Sequence, residues 1–337
     1  MNIGICFGTR PEYLKVLPII NELIKRNISH KVYYILQHVT INENISDNII
    51  RVELPKLDNN RLNEIGSGIL SVFNDYWDTN HTHCIVQGDT STGLFCSINA
   101  FHIGCKVIHI EAGLRTYTLD QPFPEEANRQ LISRISSYNF TPHEDSSKLL
   151  YNENVQGKIF NVGNTCLDLI KSYNLEISTS NSIIVTFHRR ENWNKLPVFI
   201  ECVKEILNNS NEILIKWCMH PNPVLQQQII NAFYNEPRVE LLNPPSHSIF
   251  TKMMSVSKYI ITDSGGIQEE ASFLGKQCIV LRESTERSHI PYPYIHLLPD
   301  ISKLAEYVKD LDISQLDPCL VYGDGTASKK IIDILSQ

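Results

Sequence analysis

The chain lacks a Cys-x-x-Cys pair, although it contains nine cysteines. Zinc ribbons and thioredoxin-type redox motifs need that spacing, so the thiols read as reduced core residues. It also lacks an apolar run near the ~20 residues that span a bilayer. Its N-terminus, MNIGICFGTRPE, has no signal-peptide pattern. These absences point to the cytoplasm and exclude a membrane partner. There is no basic excess either: 30 Lys plus Arg stand against 37 Asp plus Glu, a net charge of −7. A general nucleic-acid binder needs the opposite balance, so no nucleic-acid partner is expected. No GxxxxGK[ST] occurs. The GxG at Gly66-Ser67-Gly68 follows no clear strand and has no third glycine, which excludes a dinucleotide fingerprint there.

The rest is ordinary globular composition, 42% hydrophobic and 20% charged over 337 residues. That length suits two domains of roughly 150 residues each. Short apolar runs alternate with amphipathic segments. In the first half they are Asn2–Phe7, Lys31–Leu36, His83–Val86, Lys106–Ile110, Tyr138–Phe140 and Lys158–Val162. In the second half they are Ser182–Phe187, Glu212–Trp217, Arg238–Leu242, Lys258–Ile261 and Gln277–Leu281. Nearly unbroken apolar runs fit parallel strands buried on both faces, and alternation with helices fits βαβ units. The polar stretch KSYNLEISTSN, from Lys171, reads as a linker. The expectation is therefore an α/β chain with two doubly wound parallel-sheet domains, 1–170 and 171–321, facing a cleft. A final helix within 322–337 would pack back on the first domain.

Most unusual polar residues follow the runs: FGTRPE, QGDTST, HIEAGLRT and VGNT, then FHRREN, MHPNP, TDSGG and LRESTER. In open α/β sheets ligands bind outside the carboxyl ends of the strands. Arg10 and Lys15 open the first helix, where the alternative is a solvated helix start. Asp89, Glu111 and Glu125 follow successive runs and suit acid–base work; the alternative is helix caps or partners for Arg115 and Arg129. His188 with Arg189 suits an anion, or else an ion-pair cluster with Glu191. Arg115 and His220 are further candidate substrate contacts; the alternatives are a partner for a strand-end carboxylate and a satisfied histidine in a Pro-rich loop. Ser264-Gly265-Gly266 offers bare backbone at a helix N-terminus, which favours an anion, and Glu269 and Glu270 follow about a turn later. No spacing suggests a metal site.

Taken together, GTRPE, QGDTST, HIEAGLRT, PFPEEANR, VGNT, HRREN, TDSGGIQEEASFLGK and STER resemble the UDP-N-acetylglucosamine 2-epimerase family. They run in family order from Gly8 to Arg287. The resemblance implies the GT-B fold, two Rossmann-like domains, no cofactor, a UDP-sugar substrate and a homodimer. It implies catalytic roles for Asp89, Glu111, Glu125 and His188. It implies substrate contacts for Arg10, Lys15 and Arg287, diphosphate binding by Ser264, Gly265 and Gly266, ribose binding by Glu270, and a uracil contact from Phe250 in a loop. EAGLRT and PEEANR look like the non-hydrolysing branch, which interconverts UDP-GlcNAc and UDP-ManNAc. The family's GQH loop is LQH here, Leu36-Gln37-His38, and Val39-Thr40-Ile41 depart from it. A second, allosteric UDP-GlcNAc site at that loop is therefore not expected to be intact. Other readings are a 2-epimerase of a 6-deoxy UDP-N-acetylhexosamine, a hydrolysing epimerase, a GT-B glycosyltransferase and a non-catalytic UDP-sugar sensor.

Overall fold

The computed structural model describes residues 1–36, 49–55 and 61–337. They divide into two compact units, Met1–Ser172 with Tyr322–Gln337, and Tyr173–Val321.

The first unit is a parallel sheet of β1 (Ile3–Phe7), β2 (His30–Leu36), β3 (Ile49–Glu53), β4 (His83–Gln87), β5 (Lys106–Ile110), β6 (Tyr138–Thr141) and β7 (Lys158–Asn161). Its order is β3-β2-β1-β4-β5-β6-β7. The helices are α1 (Arg10–Lys25), α2 (Arg61–Tyr76), α3 (Ser91–His102), α4 (Glu125–Ile135), α5 (Glu144–Asn152) and α6 (Thr165–Ser172). β1 shows why the sheet is covered on both faces. Ile3, Ile5 and Phe7 join Val16, Ile19 and Leu23 of α1 on one side. Cys6 joins Ile65 and Phe73 of α2 and Leu94 of α3 on the other. Each such side chain contributes about 1.5–3 kcal/mol by leaving water. Gly4 must be glycine, because a Cβ there would stand 2.1 Å from the ring of Trp77.

The second unit holds β8 (Ser182–Thr186), α7 (Leu196–Asn208), β9 (Leu214–Cys218), α8 (Pro223–Phe233), β10 (Val239–Leu242), α9 (His247–Ser255), β11 (Tyr259–Thr262), α10 (Gly265–Phe273), β12 (Cys278–Val280), β13 (Ile295–Leu297) and α11 (Leu304–Lys309). Its parallel sheet has the order β10-β9-β8-β11-β12-β13. The last helix, α12 (Ala327–Leu335), belongs to the first unit. Asp168 of α6 caps it, accepting from the amides of Ala327 at 3.0 Å and Ser328 at 2.7 Å. Ile331 and Ile332 then enter the core beside α1.

In both sheets the chain winds outward in one direction, then returns to the centre and winds the other way. The reversal falls between β1 and β4 in the first unit and between β8 and β11 in the second. Crevices at such points are where open α/β sheets bind ligands. Two strands, β3 and β13, lie outside the apolar runs; both are sheet edges. Gly66 and Gly68 fall inside α2, where a Cβ on Gly66 would collide with Phe95 of α3. Pro18 sits within α1, which continues to Lys25. Among the described residues no helix is long and apolar enough to cross a membrane.

Candidate functional site

At the first unit's switch point the buried carboxylate of Glu12 ties two loops together. It accepts from the Gly8 amide at 3.1 Å, the Thr9 hydroxyl at 2.7 Å and the Thr90 hydroxyl at 2.6 Å. Thr90 in turn caps α3 through the Gly93 amide. The loop carrying Arg10 and the loop carrying Asp89 are thereby fixed to each other. Burial pushes the Glu12 pKa up, and the three donors pull it back. Sequence reasoning passed over Glu12, although Thr9-x-x-Glu12 has capping-box spacing.

Asp89 is held by Arg129 of α4, whose Nε and Nη2 both lie 2.7 Å from Oδ2. The next turn of chemistry on α4 grips the same loop: Asn128 donates to the Asp89 carbonyl at 2.8 Å. Burial opposes the charge of Arg129, but Asp89 and Glu126 outweigh it and raise its pKa. Glu111 follows β5 in the left-handed region, φ 64°, a conformation non-glycine residues seldom take. Its Oε2 meets Lys15 Nζ at 2.5 Å and accepts from Gln87 Nε2, and Asn164 Nδ2 lies 3.5 Å from Oε1. Under this loop His109, fully buried, bonds the Gly88 carbonyl at 2.7 Å through Nε2. That contact makes Nε2 the protonated nitrogen, and burial pulls the pKa down to about 4. Glu125 opens α4, and its Oε2 is buried without a hydrogen-bond partner among the described residues. Its neighbour Glu126 is used up, accepting from the amides of Thr116 and Tyr117 and from Arg129 and Gln130.

In the second unit Asp263, fully buried after β11, plays the part of Glu12. It accepts from the amides of His188 and Arg189, each at 2.9 Å, and from Asn192 at 3.2 Å. This joins the loop after β8 to the TDSGG turn. The His188 ring lies 5.6 Å from that of His220, and burial lowers the pKa of both. His220 also accepts from the Asn222 amide at 3.0 Å, which shapes its Pro-rich turn. Ser264 is the N-cap residue of α10, but its side chain makes no capping bond. A Cβ on Gly266 would meet nothing within 4 Å. The first turn of α10 thus presents backbone donors to open space, an arrangement that attracts an anion. Glu270, a turn further on, pairs with His247 at 3.2 Å, and His247 accepts from the Tyr173 hydroxyl at 2.9 Å.

Two expectations need correction. Arg115 was expected at the ligand. Its side chain is fully buried and holds Glu153 through two bonds of 2.8 and 3.0 Å, so it braces the loop after β5. Phe250 was expected in a loop and lies instead within α9, half-buried. Arg287 is buried against Glu269 at 2.7 Å, and Arg189 pairs with Glu191 at 2.8 Å. Of the LQH loop, Gln37-His38 and the residues that follow lie outside the described residues.

The family model described as UDP-N-acetylglucosamine 2-epimerase matches residues 37–336. A UDP-N-acetylglucosamine 2-epimerase of Campylobacter jejuni is 35% identical, covering 99% of this chain and 97% of that protein. One from Neisseria meningitidis is 34% identical over 99% of each chain. Among solved structures, a Neisseria meningitidis UDP-GlcNAc 2-epimerase bound to UDP-GlcNAc superposes with a TM-score of 0.85 at 30% identity, covering 100% of both chains. A Methanocaldococcus jannaschii UDP-GlcNAc 2-epimerase in complex with UDP-GlcNAc and UDP gives 0.80 at 28%, covering 100% of this chain and 99% of that one. The two doubly wound parallel units are those of the GT-B fold these enzymes share. Family model, relatives and fold agree across the length of the chain, and the protein belongs to the UDP-N-acetylglucosamine 2-epimerase family.

Proposed function

We propose that the protein interconverts UDP-GlcNAc and UDP-ManNAc without hydrolysis. The observation that carries this reading is the set of carboxylates around the first unit's switch point. Glu111 is held in a strained conformation against Lys15, and Asp89 is paired with Arg129. Binding a nucleotide sugar does not require that equipment; moving a proton does.

Inverting C2 means removing a proton that is not acidic in the resting sugar. Departure of UDP breaks the C1–O bond, develops positive charge at C1 and acidifies C2–H. A carboxylate takes that proton, leaving 2-acetamidoglucal and UDP. A proton delivered to the opposite face of C2, with UDP returning to C1, gives the epimer. The reaction therefore needs a base on one face and a donor on the other. Asp89, Glu111 and Glu125 supply these in this reading, and the unpartnered Oε2 of Glu125 is an oxygen suited to a substrate proton. The leaving diphosphate gains charge, which the α10 N-terminus with Ser264, Gly265 and Gly266 would stabilise, together with Arg287; Arg10 is a further proposed substrate contact. Losing one such contributor costs ~10²-fold or more in rate. Glu270 would take the ribose, and His188, neutral at pH 7 through burial, would donate a hydrogen bond to the substrate. Nine unpaired buried cysteines suit a reducing cytoplasm, and the family resemblance supports a homodimer, which sedimentation would test.

The deciding experiment is incubation with UDP-GlcNAc in D₂O followed by NMR. Deuterium at C2 of both UDP-ManNAc and UDP-GlcNAc is the expected result. Free ManNAc with UDP would replace this reading by hydrolysis. No exchange would point to another UDP-hexosamine.

A further inference from the structure

Three guanidiniums meet beside the first turn of α10, and one carboxylate sits among them. Glu286 lies 2.7 Å from Arg287, 2.9 Å from Arg282 and 3.9 Å from Arg189. It is close to the helix terminus as well. A Cβ on Gly265 would stand 3.2 Å from Arg287 Nη1 and 3.3 Å from Glu286 Oε1. Two further carboxylates complete the cluster, Glu269 on Arg287 and Glu191 on Arg189. Three positive groups thus face three negative ones, leaving no net charge beside the proposed diphosphate site.

The three carboxylates are not equivalent. Glu269 is buried and committed to Arg287. Glu191 is largely exposed, so water screens it. Glu286 alone touches all three guanidiniums. Burial works to raise its pKa, but Arg287, then Arg282 and Arg189, hold it down at about 2. It is ionised at every pH where the protein would work. Arg282 Nη1 is buried 2.9 Å from Glu286 Oε2, and the charge and hydrogen bonding of that carboxylate partly offset the burial that disfavours the guanidinium's charge.

We infer that Glu286 is an internal counter-anion, which occupies the arginine cluster at the α10 N-terminus and competes with an incoming diphosphate for it. The inference rests on the reading of α10 as the diphosphate site. Its consequence is a ceiling on affinity. A diphosphate entering an uncompensated triple-arginine cluster would be held tightly and released slowly. With Glu286 in place, the ligand must share the guanidiniums with a fixed negative charge. An epimerase that keeps UDP through elimination, but must let the nucleotide sugar leave, gains turnover from that ceiling.

The test compares wild type with Glu286→Gln, an uncharged side chain of the same shape, by calorimetry. The probes are inorganic pyrophosphate, UDP and uridine. The expected result is ~10-fold tighter pyrophosphate and UDP binding by the variant, about 1.4 kcal/mol, with the gain shrinking as salt rises. Uridine binding should not change. The ligand-free variant should also melt lower than wild type, and UDP should close that gap. Glu286→Asp withdraws the same charge by one methylene and should fall between the two, which keeps the test alive should the glutamine variant not fold. Equal or weaker pyrophosphate binding by Glu286→Gln would overturn the inference and make Glu286 a positioning residue for the arginines. Failure of wild type to bind UDP would instead remove the proposed function, while the pyrophosphate comparison would still judge Glu286.

Discussion

Replacing Glu111 by alanine and by glycine separates the work of its carboxylate from the cost of its backbone. Both variants lose the ion pair to Lys15 and the contacts from Gln87 and Asn164. Lys15 keeps 21% of its side-chain surface exposed, so its ammonium can turn to water when the partner goes. The shared loss is that of a charge-assisted bond, about 1.5–3 kcal/mol. The two variants differ in what they do with φ 64°. An L-residue in the left-handed region costs about 1–2 kcal/mol, which alanine keeps and glycine relieves. Glycine gives back ~0.5–1 kcal/mol through the greater freedom of its unfolded chain. Glu111→Gly should therefore be more stable than Glu111→Ala by roughly 0.5–1 kcal/mol, although it removes more of the side chain. Urea unfolding would measure this in a background where Trp193 and Trp217 are phenylalanine. Trp77, packed on Gly4 in the first unit, is then the sole indole reporting. Both variants should lose ~10²-fold or more in turnover, as for a group that acts on the transition state. An alanine variant as stable as the glycine variant would mean that the loop relaxes without cost. The idea that the fold tolerates strain to place this carboxylate would then fall.

Four further outcomes are expected. Glu12→Gln should cost about 1–3 kcal/mol, because one of three donors loses its acceptor. It should also lower turnover more than substrate affinity, by loosening the Asp89 loop; a lower melting point with unchanged kcat would make Glu12 purely structural. Glu125→Gln should fold normally and turn over far more slowly, and near-normal rates would take Glu125 out of the acid–base set. Glu270→Ala should weaken UDP binding in calorimetry while leaving turnover at saturating substrate nearly intact, and unchanged affinity would overturn the ribose assignment. For pH, His109 has a folded pKa of about 4 because it is buried, against ~6.5 unfolded. Its contribution is complete above pH 6.5 and is lost as the pH falls toward 4, since only the unfolded chain takes the proton. That amounts to about 3 kcal/mol. Urea midpoints from pH 7 to 4.5 should fall, and fall less in His109→Gln; a flat wild-type profile would contradict the burial argument.

The central strands were legible because burial on both faces leaves nothing but apolar residues. β1 and β11 are buried along their whole length. β3 and β13 were missed for the opposite reason. Each is an edge strand with a single buried residue, Val52 in one and His296 in the other, so the pattern that marks a core strand is absent. The switch points were legible as polar clusters after apolar runs. What those clusters do was less so. Asp263 and Glu12 sit in the same polar clusters as the candidate site residues, yet Asp263 spends its oxygens on loop amides and Asn192, and Glu12 on a loop amide and hydroxyls. Arg115 and Arg129 are both arginines near strand-end carboxylates, and only the fold assigns Glu153 to the first and Asp89 to the second. Partners 38 to 40 residues apart leave no local signal.

The two glutamate doublets show why such assignments need three dimensions. Successive residues on a helix point ~100° apart, so neighbouring glutamates cannot serve one target. In Glu125-Glu126, the second carboxylate turns inward to two loop amides and Arg129, which leaves the first, with its unpartnered Oε2, to face elsewhere. In Glu269-Glu270, the first is buried on Arg287, and the second is half-buried on His247. One member of each pair thus holds a helix N-terminus in place and the other is presented near it. The inward member is as necessary as the outward one, because α4 and α10 carry the groups proposed to meet the ligand in their first two turns. A doublet swap, Glu125→Gln against Glu126→Gln, distinguishes these duties. The first should lower turnover with the melting point unchanged. The second should lower the melting point, because the Thr116 and Tyr117 amides lose a charged acceptor, each such bond being worth about 1.5–3 kcal/mol. Equal effects on both readouts in both variants would mean that the doublet acts as a single unit and that helix geometry does not divide its work.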